Sequence, residues 1–271
     1  MPRLKRLVRA VACSLAVVGV VVGVAACTPK HQGSNLDPDQ VDSVEMPEKG
    51  ACRLLTPDDV AEPSNATETV DCHEDHTAET FAVGRLPGRF DDADFEDRDL
   101  GVFAYQTCAS RFQKFLGADE SLVMRTTVSW AWFRPSSKAW DDGARWYRCD
   151  VVGGGAQSKE YVDLPKTAKG LLAKRADKWM VCVNGASVDG AKISCDEPHT
   201  WRAVTTIKVG EADDPYPGDQ VVESRTRDFC SESVGAWLNY PADYDYGYTW
   251  FHEGEWSAGN RRSICWARTD K

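Results

Sequence analysis

Two short phrases hold the residues best suited to chemistry: Cys72-His73-Glu74-Asp75-His76-Thr77 and Cys195-Asp196-Glu197-Pro198-His199-Thr200. Both read Cys-x3-His-Thr with acids in between. Imidazole and thiolate are zinc ligands, and Cys72, His73 and His76 offer three within five residues. Zinc would also need a fourth ligand and ionised sulfur, and the second phrase keeps only Cys195 and His199. A histidine near carboxylates is equally the material of general-base catalysis, with Asp71, Glu74 and Asp75 at hand in one phrase and Asp196 and Glu197 in the other. Its usual nucleophile is missing, because no Gly-x-Ser-x-Gly occurs, and neither does a phosphate loop, an HExxH or a dinucleotide fingerprint. The remaining chemistry of such a cysteine is a disulfide.

Each phrase sits second in a run of four cysteines. Cys52, Cys72, Cys108 and Cys149 form one run, and Cys182, Cys195, Cys230 and Cys265 the other. Both runs close on Trp-x2-Gly-x5-Cys, as Trp140, Gly143, Cys149 and as Trp256, Gly259, Cys265. A Trp-Phe pair precedes each closing phrase, at 132–133 and 250–251. Sparse residue types recurring at near-fixed offsets indicate a tandem duplication.

The elements that must position these residues follow from pattern. In the second copy, Asn-Gly and Asp-Gly turn signals predict a hairpin over 180–195. A β-branched strand is expected at 201–209, then a break at Pro215-Tyr216-Pro217-Gly218. A helix follows, with Val222, Phe229, Ser233 and Trp237 as its stripe and Cys230 beside it. Strands at 248–251 and 261–267 close the copy. The first copy runs in parallel: a strand at 80–85, a helix over 96–116 behind the acids 91–94, and strands at 128–133 and 145–151. Leu100, Phe103, Cys108, Phe112 and Phe115 are the expected stripe of that helix, with Gly117 just past its end. Each copy thus reads β-β-β-α-β-β. The fold class is α+β, as two tandem homologous small domains, each an antiparallel sheet with one main helix, stapled by disulfides. The expected boundaries are 51–152 and 179–271, with a connector over 153–178.

The front of the chain indicates a compartment. Arg3, Lys5, Arg6 and Arg9 precede an apolar run that ends Val24-Ala25-Ala26-Cys27. This is the layout of a secretory signal peptide over 1–26, and its ending resembles a bacterial lipobox, whose cysteine carries the lipid; Cys27 is the expected lipidation site. A disordered tether over 27–50 would follow, poor in anything that could repay ordering. Beyond residue 26 there are 28 basic and 42 acidic residues, a net charge of −14. Such a surface repels nucleic acid and anionic lipid headgroups. The expected location is the outer face of the cytoplasmic membrane, with the lipid anchor as the contact to it.

Eight cysteines in an exported chain read as a disulfide framework rather than a metal centre. Four cysteines allow three connectivities per domain; the favoured set is Cys52–Cys72, Cys108–Cys149, Cys182–Cys195 and Cys230–Cys265. With the sulfurs paired, no metal and no cofactor is expected. His76 and His199 are then turn-fixing residues or binding residues. Trp201, Tyr240, Tyr244 and Tyr246 complete the candidate contact set, because Tyr and Trp make good surfaces for a sugar or a protein. The Tyr240–Tyr246 segment has no counterpart in the first copy. The Asn65-Ala66-Thr67 sequon is set aside in a bacterial reading.

The pattern Cys182, then Cys195-Asp196-Glu197-Pro198-His199, then Cys230 on a helix, then Trp256-x2-Gly259-x-Arg261-x3-Cys265 resembles the septum-formation-related domain of actinobacterial envelope proteins. The first copy fits through Trp140, Gly143, Arg145 and Cys149, with His73-Glu74-Asp75 in place of Asp-Glu-Pro. The resemblance implies an extracytoplasmic, membrane-anchored protein linked to cell division, with no assigned reaction. The expected function is therefore a non-catalytic lipoprotein that binds or scaffolds an envelope or division protein or a wall glycan. The alternatives are a wall hydrolase or transferase using His199 with a neighbouring acid, and a Cys/His metal-binding protein.

Overall fold

The computed structural model describes residues 45–155 and 157–269. The signal stretch, Cys27 and the tether up to residue 44 lie outside the described residues.

The first half opens with β1 (Cys52–Arg53) and a short helix α1 (Pro57–Ala61), capped by Thr56 and Asp59. β2 (Ala78–Arg85) leads to the long helix α2 (Arg98–Leu116), whose N-cap is Asp97 and whose C-cap is Gly117, at φ 71°. A short α3 (Glu120–Val123), β3 (Ser129–Phe133), a one-turn α4 (Ser137–Asp141) and β4 (Trp146–Val152) complete it. The second half runs through β5 (Val181–Val183), β6 (Lys192–Ser194), β7 (Trp201–Lys208), α5 (Asp219–Trp237), β8 (Tyr246–Thr249), α6 (Glu253–Ser257) and β9 (Arg262–Arg268). The fold is α+β. Two antiparallel sheets, in the orders β1-β2-β4-β3 and β6-β5-β7-β9-β8, each carry one long helix.

Their registers coincide. Ala82 pairs with Cys149, as Thr205 pairs with Cys265, and each ladder carries a bulge just before that pair. The expected strand order needs one correction. The first copy has no counterpart of β6 beyond a single bridge, Cys52 to Val70. There the chain instead spends its residues on α1, with Pro57 at the helix start, where its missing N–H costs nothing.

The four disulfides are Cys52–Cys72, Cys108–Cys149, Cys182–Cys195 and Cys230–Cys265. Two of them fasten α2 to β4 and α5 to β9, and so decide which helix face turns inward. That face is Leu100, Ala104, Cys108, Phe112 and Leu116 in α2, and Val222, Thr226, Cys230 and Val234 in α5. The expected α5 stripe is corrected by it. Phe229 is exposed because it lies roughly 100° around the helix from Cys230; Trp237, seven residues on and so on the Cys230 side, is exposed at the last residue of the helix. In α2, Phe103 and Phe115 pack at the margin of the core rather than in its centre.

The closing phrase Trp-x2-Gly-x-Arg also has a structural reading. Gly143 and Gly259 have φ of 94° and 108°, which turns the chain back after α4 and α6. Arg145 then lies over the ring of Trp140 at 4.0 Å, and Arg261 over Trp256 at 3.7 Å. Each arginine donates to the main-chain carbonyl of its own tryptophan and of the residue just before itself. Each also reaches a distant loop, at Phe90 and Asp91 or at Glu211 and Ala212.

The two halves share a core. Trp179, Met180, Cys182 and Cys195 belong to the same buried cluster as Phe81, Phe112 and Leu116. Thr126 bridges Met180, Arg125 donates to the Val204 carbonyl at 2.6 Å, Thr206 bonds Ser121, and Arg262 pairs with Glu120. The segment 153–178 is packed as well, with Ala168 and Leu172 fully buried.

Candidate functional site

The Cys-x3-His-Thr phrases are turns that enter β2 and β7. His76 Nδ1 lies 2.8 Å from the Glu74 carbonyl, and His199 Nδ1 lies 2.7 Å from that of Glu197. A carbonyl only accepts, so Nδ1 carries the proton in both rings and Nε2 presents a lone pair. Both Nε2 atoms are buried without a partner, and the residues are 1% and 2% exposed. Thr77 and Thr200 then tie the turn to the preceding strand, donating to Leu55 and Gly185 at 2.7 Å each. His199 therefore contacts a main-chain carbonyl rather than a carboxylate. Asp71 is engaged by the His73 main-chain N–H and ring, which hold its carboxyl below the usual range.

Among the described residues, one group brings three soft donors together: Cys182, Cys195 and His199, within 4.8 Å. The two sulfurs are joined to each other, so neither offers the thiolate charge a metal needs. Cys72, His73 and His76 are not gathered into such a group.

The aromatic candidates separate by burial. Trp201 is a core residue whose indole donates to Gly185. Tyr244, Tyr246 and Tyr248 form a half-buried ladder, with successive ring centroids 6.5 Å apart. Tyr244 bonds the Ser231 carbonyl and lies so close to Gly235 that a Cβ there would be 2.6 Å from its hydroxyl. Tyr240 is 64% exposed, held by a main-chain φ of 53° that a non-glycine residue adopts at a cost of about 1–2 kcal/mol. Trp237, 50% exposed, is the last residue of α5 three positions earlier, and Phe229, 37% exposed, lies two turns further back on the helix. Sequence reasoning placed those two in the core. Centring the helix on its buried cysteine would have placed Phe229 outside; Trp237, seven residues on, shares the cysteine's side and is exposed at the helix end.

A second feature escaped the sequence altogether. On the face of the first sheet turned away from α2, Arg53, Thr80, Arg148 and Asp150 are buried together. Arg148 Nε is 2.9 Å from Asp150 Oδ2, and its other nitrogens bond Asn65. Arg53 donates to Thr67 and Thr80. A cavity of ≈ 290 Å³ opens beside this network, lined by Arg53, Thr67, Trp146 and Arg148 with Glu45 and Glu48. At the equivalent register positions the second sheet has Val183, Ala203, Ile264 and Trp266, a dry apolar cluster. The sequon asparagine, Asn65, is wholly buried in the network.

A family described as "Septum formation" has a model that matches this chain twice, over residues 6–134 and 125–265. No curated protein and no solved structure matches the chain.

Proposed function

We propose, for a chain that belongs to the septum-formation family, a non-catalytic role: it binds and holds a protein of the division or envelope machinery outside the cytoplasm. Membership itself ties the chain to septum formation, and so to division or the envelope. The anchoring part of the reading rests on the sequence, through the basic start, the apolar run and Cys27, which would carry the lipid at the outer face of the membrane. The four disulfides suit an oxidising compartment. A hydrolase or transferase built on His199 finds little support, since the ring is buried and its proton is committed to a carbonyl.

The observation that carries the binding reading is the exposed aromatic pair Trp237 and Tyr240 at the C-terminal end of α5. Large exposed aromatics, one of them held in a strained conformation, mark a contact surface rather than a packing accident. The test is localisation in dividing cells, with a tag that fluoresces outside the cytoplasm, in the natural chain and in Trp237→Ser/Tyr240→Ser. Midcell enrichment that the double variant loses is the expected result. An even envelope distribution of the natural chain would remove the division role, and a variant that still concentrates at midcell would remove this surface from it.

A further inference from the structure

The two repeats end their long helices alike. Ala118 N–H donates to the Gln113 carbonyl at 3.0 Å, and Tyr240 N–H to the Gly235 carbonyl at 2.7 Å. Gly117 takes the left-handed position in one, at φ 71°, and Asn239 in the other, at φ 64°. Phe115 and Leu116 therefore correspond to Trp237 and Leu238, two and one residues before that turn.

In the first repeat this helix end is covered by the chain itself. Gly170 N–H donates to the Phe115 carbonyl at 2.7 Å, and Leu172 N–H to the Leu116 carbonyl at 3.1 Å. Ala168 and Leu172 are buried against it, and Leu171 packs at the edge. In the second repeat, no N–H among the described residues reaches the carbonyls of Trp237 or Leu238. Pro241 stands where the next helical donor to Trp237 would be, and proline has none. The exposed large apolar residues at this helix end are Trp237 and Tyr240.

We propose that the end of α5 docks a turn-forming apolar segment of a partner protein, in the manner that residues 168–172, with Gly170 at φ 72°, dock on α2. The segment supplies two main-chain N–H groups, spaced two residues apart, to the Trp237 and Leu238 carbonyls, and lays a small residue and leucines against Trp237 and Tyr240. Backbone donors at a helix C-terminus with apolar anchors beside them are a sufficient recognition set. Charge favours a segment with basic flanks. The docked segment of the first repeat carries Lys166, Lys169, Lys174 and Arg175, and the second site lies between the exposed Glu232 and Asp243. The inference rests on the binding reading above and names the chemistry of its partner.

The test uses the mature chain and a fluorescently labelled peptide with the sequence of residues 165–175, read by anisotropy. Saturable binding is expected, weakened at least ten-fold by Trp237→Ser in the protein. It should also be abolished by Leu171→Asp/Leu172→Asp in the peptide, a control that leaves the protein untouched. Because Trp237 is a surface residue, a matched thermal transition shows that the variant is folded. No binding at millimolar peptide, or binding indifferent to Trp237→Ser, overturns the proposal. A photo-crosslinker at Tyr240 in cells separates this failure from that of the wider reading. A captured midcell partner with no peptide binding would sink the segment chemistry and leave the division role standing.

Discussion

Replacing Gly259 by alanine tests the junction between the repeats, because Gly143 is its equivalent and provides an internal reference. Both glycines have positive φ, 108° and 94°. Forcing an L-residue there costs about 1–2 kcal/mol in either position. The surroundings differ. A Cβ at Gly143 meets nothing within 4 Å, whereas one at Gly259 falls 2.6 Å from the Tyr105 ring of the first repeat. Overpacking of that kind adds about 1–3 kcal/mol. Gly143→Ala should therefore lose about 1–2 kcal/mol, and Gly259→Ala about 2–5 kcal/mol. Urea unfolding with disulfides intact, read by tryptophan fluorescence, measures both. In a Tyr105→Ala background the extra cost at Gly259 should vanish, leaving the Gly143 value. Equal losses in the two single variants, or no rescue by Tyr105→Ala, would refute the close contact between the repeats.

Other outcomes follow from the same structure. Unreduced protein treated with iodoacetamide should gain no mass at the eight cysteines of the two repeats; alkylation at four or more of them would contradict the bridges. Arg148→Met should cost about 3–5 kcal/mol by leaving Asp150 buried and unpaired, while Arg148→Met with Asp150→Leu should cost clearly less; a pair that is additive would speak against the ion pair. Burial, and then the charge of Asp59, pushes the Tyr161 hydroxyl up to about 12, against about 10 in the unfolded chain. Its contribution is complete below pH 10 and is lost as pH rises through 12, so tyrosinate absorbance in the folded protein should show a late step, shared with Tyr216, whose amplitude Tyr161→Phe reduces. Residues 51–152 produced alone lack Trp179, Met180, Cys182 and Cys195 from their core and should melt well below the intact chain; equal melting temperatures would show that the shared core adds nothing.

The duplication and the fold class were legible from cysteine and tryptophan spacing. Spacing left three connectivities per repeat, and the favoured one, a bridge across the hairpin and one from helix to last strand, is the one observed. Helix faces were less legible. Phe229 and Trp237 look like core to any reading that ranks residues by hydrophobicity; the inward direction of Cys230 reveals that Phe229 points out, while Trp237 lies on the cysteine's side and is exposed at the last residue of α5. The His76 and His199 turns were visible as motifs, but their burial was not, because it comes from elements distant in sequence. The Arg53–Arg148–Asp150 network was invisible for a related reason. An alternating strand with charges normally means a solvated face, and here α1 and the 62–67 loop cover it. That the end of α5, unlike that of α2, has no covering segment among the described residues could be seen only by laying one repeat on the other.

The order of the disulfides has a consequence for how the molecule is made. Each of the eight cysteines among the described residues pairs with its neighbour along the chain, so no bridge there encloses or crosses another. Eight cysteines could pair in 105 ways. A chain that meets its oxidant N-terminus first, and joins each new thiol to the one still waiting, arrives at this set directly. The framework can thus be written during emergence, without a shuffling enzyme to correct it. Strict oxidants that never isomerise should then yield native protein as readily as a glutathione buffer does.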